Sequence, residues 1–150
     1  GRTEITVTGN TEGIEEATDN DIECSSWEEV EEIIGENILV PTYIPEEYEL
    51  RSLIVQSAEA RWGIIARYET EKRYYLRIRI NVYEKDFKKY IMQYDENWNI
   101  VDEDALYPYV QFSDNGNEFE AFFSQANCLY YISSNENIEI LKQVIDGMMK

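Results

Sequence analysis

Tyr75-Leu76-Arg77-Ile78-Arg79-Ile80-Asn81-Val82-Tyr83 alternates without a break. Leu76, Ile78, Ile80 and Val82 point one way, and Arg77, Arg79 and Asn81 point the other. A period of two is the pattern of a strand with one buried and one wet face. The stretch before it, Arg61 to Glu69, repeats the pattern. Trp62, Ile64, Ala66 and Tyr68 share one face, and Arg61, Ile65, Arg67 and Glu69 the other. Glu69-Thr70-Glu71-Lys72 is polar enough to turn between them. Arg61 to Tyr83 is therefore expected as an amphipathic antiparallel hairpin near the middle of the chain.

Downstream, Tyr109 to Ser113, Phe119 to Ser124 and Cys128 to Ser133 read as three more strands. Asn115-Gly116 marks a hairpin between the first two, because both residues tolerate positive φ. Gln125-Ala126-Asn127 makes the next turn. Ser134-Asn135-Glu136 then opens a helix with Ile138, Leu141, Ile145 and Met148 along one side. Lys85 to Gln93 is ambiguous between a strand and a helical turn, and 95–106 reads as an acidic excursion around Trp98.

Upstream, Tyr48 to Gln56 is the strand that precedes the hairpin. Ile38 to Pro45 is apolar but fenced by Pro41 and Pro45, which cannot donate to a ladder, so an edge or crossing strap is expected. Ser26-Trp27-Glu28-Glu29 has capping-box spacing for a helix that buries Trp27, Val30, Ile33 and Ile34 and stops at Gly35. Its glutamates form a solvated face. Residues 1–26 are acidic and read as a linker or stalk, with Ile5 to Thr8 as an edge strand. The expected fold is α+β: an antiparallel sheet of about six strands, one face covered by an N-terminal and a C-terminal helix, all within one domain at 27–150.

With 150 residues, 43% of them hydrophobic, the chain is long enough to bury a core without staples. Its formal charge of −18 argues against nucleic acid as a partner and against docking on anionic lipid. The charge is uneven. Residues 1–36 hold twelve acids and one base (Arg2), whereas ten of the thirteen bases lie between Arg51 and Lys89. The wet face of the hairpin is thus locally basic. It reads first as charge pairing across neighbouring strands, and second as a patch for an anionic ligand or partner. The residues assigned to that patch are Arg61, Arg67, Arg77 and Arg79.

No histidine is present, which removes His-dependent triads and His-containing zinc sites. Cys24 and Cys128 are far apart and form no CxxC. They serve either as one disulfide of an exported domain or as two buried thiols, and the latter is favoured. Acids are abundant, but no spacing singles out a catalytic pair. The segment Asp95 to Asn99 alternates oxygen ligands yet lacks the central Gly, and Leu106 stands where a closing Glu belongs. An EF-hand is excluded, and an adventitious calcium site with Asp102 or Asp104 is left open. The abundant tyrosines suit strand packing or a grip on sugar or peptide. No glycine-rich phosphate loop, nucleophile elbow, metal set or cofactor motif appears. No apolar run spans a bilayer. The chain begins at Gly1 rather than Met, so the absence of an export signal or membrane span from it says little.

Trp27-x5-Ile33, then Ile38-Leu-Val-Pro-Thr-Tyr-Ile-Pro-Glu-Glu-Tyr-Glu-Leu50, resembles the helix and Leu-Pro…Pro-x-x-Tyr-x-Leu strap of a bacterial family catalogued as domain of unknown function 4367. The likeness continues through the basic strands to Asn127-x-x-Tyr130-x-Ile132 and a closing helix from Asn135 to Met149. It covers Trp27 to Lys150. The resemblance implies a C-terminal extracytoplasmic domain of a Gram-positive protein, tethered by a single span and sometimes accompanied by an anti-sigma-factor-like segment. It implies no enzymatic residues. On this basis the chain is expected to be a non-enzymatic sensor or interaction domain, binding a protein or cell-envelope ligand on its sheet. A carboxylate-based hydrolase of cell-wall sugar and a lipoprotein-like apolar carrier are the alternatives.

Overall fold

A computed structural model describes residues 3–5, 21–35, 37–58, 61–83, 92–94, 100–102 and 110–149. The hairpin is formed by β4 (Arg61–Glu69) and β5 (Tyr75–Tyr83), paired in unbroken register from Arg61↔Tyr83 to Glu69↔Tyr75. Its turn is tied by Thr70, whose N–H donates to Tyr74 O at 2.9 Å and whose Oγ1 accepts from Tyr74 N at 3.0 Å. Arg73 takes the positive φ of 68° that closes it.

Around the hairpin lie β3 (Glu49–Ala58), β8 (Gln111–Asp114), β9 (Phe119–Gln125) and β10 (Cys128–Ser134), so all six expected strands form. Two three-residue strands, β2 (Asp21–Glu23) and β7 (Ile100–Asp102), extend the antiparallel sheet to eight in the order β2-β3-β4-β5-β10-β9-β8-β7. β2 lies inside the segment expected to be a stalk, and Cys24 N donates to Leu53 O at 2.8 Å just beyond it. A separate two-strand ladder joins β1 (Thr3–Ile5) to β6 (Met92–Tyr94). The readings of the Asp95 to Asn99 calcium loop, of Asp104 and of Trp98 lie outside the described residues.

The turn chemistry follows the sequence. Asn115-Gly116 reverses the chain between β8 and β9, with Gly116 at φ 96° and its N–H donating to Asp114 Oδ1 at 2.8 Å. The β9–β10 turn places Ala126 at φ 52°.

Helix α1 (Trp27–Ile34) is capped by Ser26, whose Oγ accepts from Glu29 N at 3.3 Å. Glu29 reaches back to Ser25 N and Oγ, which holds its carboxyl below the usual range. Helix α2 (Ile138–Met148) starts three residues later than the periodicity suggested, with Asn137 as its cap. The reason is that Asn135 is used elsewhere. Its Oδ1 accepts from Tyr75 N at 2.8 Å and its amide donates to Arg73 O at 3.3 Å, which ties the end of β10 to the hairpin turn.

The strap crosses between these helices without joining the sheet. Leu39 N donates to Tyr130 OH at 2.9 Å, and Thr42 Oγ1 donates to Gly147 O at 2.6 Å. Within the strap Ile38, Pro41 and Pro45 are buried, as is Tyr48 just after it. One core joins the strap, Val30 of α1, Leu141, Val144, Ile145 and Met148 of α2, and the inward side chains of the sheet. Cys24 and Cys128 are free thiols. No helix among the described residues is long and apolar enough to cross a membrane.

Candidate functional site

On the face turned away from α1 and α2, register aligns side chains into rows across the sheet. One row runs Ser52, Arg67, Arg77, Ser133, Glu120 and Ser113 from β3 to β8. The next runs Ile54, Ile65, Arg79, Tyr131, Phe122 and Gln111, and a third holds Gln56, Gly63, Asn81, Leu129 and Ser124. This face is not the wet surface that alternation suggested. Ile65 (7% exposed), Phe122 (2%), Leu129 (1%) and Asn81 (1%) are all closed to solvent. Alternation reports which side of one strand a residue occupies. Exposure in the middle of a wide sheet also depends on what stands on both flanks.

The four arginines read from the sequence do share this face, but they do not form one patch. Arg67 is exposed and occupied: its Nε donates to Glu69 Oε1 at 2.9 Å, and its guanidinium sits 5.2 Å over the Tyr75 ring. Glu69 also lies 3.9 Å from Arg51. These partners are solvated, so each pair contributes little to stability. Arg61 is at the far end of the hairpin, where with Trp62, Tyr83 and Asn127 it lines a shallow concavity of about 410 Å³.

Arg77 and Arg79 are the two that come together. They line a separate concavity of about 260 Å³ with Tyr131 and Ser133 of β10 and with Glu118 and Glu120. Burial and the neighbouring Arg79 pull the Arg77 guanidinium down to about 10. Arg79 is also lowered, chiefly by burial, with the charge of Arg61 adding to the effect. Across the concavity, burial and then the hydrogen bond and charge of Glu118 push the Glu120 carboxyl up to about 7. Ser113, whose Oγ donates to Glu120 Oε2 at 3.5 Å, and Arg77 oppose that rise. Tyr75 OH donates to Glu118 Oε2.

Comparison with protein-family models, with curated proteins and with solved structures finds no match. The function must therefore be argued from this geometry.

Sequence reasoning missed Glu118 and Glu120, and it read Tyr131 only as one of the abundant tyrosines suited to strand packing or to a grip on sugar or peptide. The available signal was the alternation of Glu118-Phe119-Glu120 directly after the Asn115-Gly116 turn, which puts both carboxyls on one face. Among the described residues no group of three or more acidic or cysteine side chains is placed to hold a metal ion.

Two predictions arise here. Glu120 is an acid whose value in the fold, about 7, lies above its ordinary 4.5. The fold therefore binds that proton more tightly than the unfolded chain does. The stabilisation is complete below the unfolded value and is lost as pH rises through the folded one. After a discount for solvent screening, unfolding free energy is expected to fall by about 2 kcal/mol between pH 5 and pH 8 from this group. Urea titrations should show Glu120→Gln lacking that component and exceeding the native protein in stability at pH 8.

The second concerns Asn81, whose side-chain amide finds no hydrogen-bond partner among the described residues at either atom. A buried amide left unsatisfied is destabilising. Asn81→Leu is expected to raise unfolding free energy by about 1–2 kcal/mol. A lowered denaturation midpoint would show instead that the amide is satisfied.

Proposed function

We propose that this chain is a non-enzymatic binding domain that captures an anionic group of a protein or cell-envelope partner on the face of its sheet turned away from α1 and α2. Arg77 and Arg79 hold the group. The observation that carries this reading is their placement side by side at a concavity, each lowered by burial and Arg77 further lowered by its neighbour. Two half-buried like charges gain from an oxyanion between or beside them, and guanidinium forks match oxyanion geometry. The domain is held to be extracytoplasmic and tethered to the cell membrane, a setting supported by the likeness of its strap and closing helix to the bacterial family named above.

Sulfate is a suitable probe, since its charge is constant across the working pH range. Calorimetry should find saturable sulfate binding that Arg77→Glu/Arg79→Glu abolishes while circular dichroism stays native. Unchanged binding in that variant would end the assignment. Protease treatment of intact cells making the protein in its natural form tests the setting: shaving of this domain supports it, and protection inside the cell removes it.

One observation favours the hydrolase alternative, because a raised carboxyl in a concavity is what acid catalysis uses. Its geometry does not follow. Glycosidase carboxyls stand on two sides of the bond they cleave, whereas Glu118 and Glu120 come from one segment and line the concavity with Arg77 and Arg79. The carrier alternative requires an apolar cavity under the helices, where Phe112, Phe123, Tyr130, Leu141 and Ile145 are fully buried in one cluster.

A further inference from the structure

We infer that the anion site is proton-gated: Glu120 carries a proton while an oxyanion occupies Arg77 and Arg79, and loss of that proton releases it. This rests on the binding reading above and adds its regulation.

The argument starts from position. Glu118 and Glu120 are two residues apart at the start of β9, so both face the side of the sheet that carries the arginines. Row by row, the groups that face Glu120 are Ser113 from β8, Ser133 and Tyr131 from β10, Arg77 and Arg79 from β5, and Glu118 from its own segment. Tyr75 donates to Glu118, and Arg67 lies over the Tyr75 ring. With Glu120 protonated, Arg77, Arg79 and the two carboxyl groups sum to a charge of about +1 at the concavity; with Glu120 ionised, they sum to about zero.

An arriving oxyanion therefore meets a net positive site only while the proton is present. By linkage, anion and proton each strengthen the binding of the other. The carboxyl that takes this role is held near neutrality by burial and by its partner, so the transition falls between about pH 6 and 8. Arg67 and Arg61 do not hold the anion, although the charge of Arg61 acts on Arg79. The first is committed to Glu69 and Tyr75, and the second lines the other concavity.

The test is sulfate affinity by calorimetry at pH 6 and pH 8 for the native protein, Glu120→Gln and Arg77→Glu/Arg79→Glu. Glutamine keeps the shape of a protonated Glu120 and can still donate to Glu118. The expected result is about tenfold tighter binding by the native protein at pH 6, one pH unit's worth of coupling. Glu120→Gln should keep the tight value at both pH values. Equal native affinity at pH 6 and 8 overturns the gate and leaves the binding reading in place, as does a slope retained by Glu120→Gln. Absence of sulfate binding at both pH 6 and pH 8 overturns both.

Carboxyl-carbon NMR of the sulfate-free protein reads the gate separately. A Glu120 midpoint near 4 would overturn it whatever sulfate does. Acetate run beside sulfate separates a carboxylate-bearing partner from a phosphate- or sulfate-bearing one.

Discussion

Tyr130→Ala is expected to lower the free energy of unfolding by about 4 kcal/mol, the range for removing a large buried aromatic side chain. Tyr130 has no exposed surface, and its ring lies stacked on Phe123 with centroids 4.7 Å apart and planes 8° from parallel. Its hydroxyl accepts from Leu39 N at 2.9 Å, so the same side chain fills the core and anchors the strap. Tyr130→Phe separates the two roles. It keeps the stack but leaves the Leu39 N–H without its acceptor, and about 1–2 kcal/mol should be lost. Urea unfolding measures both through a shifted midpoint at unchanged slope. Equal losses for the two variants would mean that the hydroxyl contact, and not the ring, holds this region together.

Gly147→Val should be destabilising by about 2–3 kcal/mol, although Gly147 lies within a helix, where glycine is intrinsically poor. A Cβ there would stand 3.0 Å from Thr42 Oγ1, 3.1 Å from Tyr43 N and 3.2 Å from Tyr43 Cβ. One of these contacts is backbone, so the strap itself has to lift from α2. The Thr42 Oγ1 to Gly147 O hydrogen bond, 2.6 Å long, would then stretch or break. Thermal unfolding gives the loss, and limited proteolysis should cut the variant between 38 and 45 sooner than the native protein. A variant as stable and as protease-resistant as the native protein would show that the close approach is not needed.

The strands β4 and β5 were legible because alternation is a property of one strand, visible in Leu76, Ile78, Ile80 and Val82 without knowledge of any neighbour. The same holds for the Asn115-Gly116 turn and the Ser26 cap, each set by a few adjacent residues. The strap was legible through Pro41 and Pro45, which cannot enter a ladder. The start of α2 was misplaced because Asn135 is drawn away by Tyr75 and Arg73, sixty or more residues earlier in the chain. β2 escaped notice because three residues carry too little pattern, and what orders them is an edge of β3.

The candidate site divides in the same way. That Arg61, Arg67, Arg77 and Arg79 share a face follows from period two in an antiparallel hairpin, and so was determined by the sequence alone. Which of them meet, and what they meet, was decided only by the fold. Insertion of β10 between β5 and β9 sets Ser133 and Tyr131 between the arginines and Glu120, and so builds a concavity from residues some forty positions apart. Strand order is a long-range choice, made by burying one apolar face against α1, the strap and α2. No local periodicity encodes it. Burial then turns a surface glutamate into one that holds a proton near neutrality, because desolvation is a property of the assembled sheet and not of the residue.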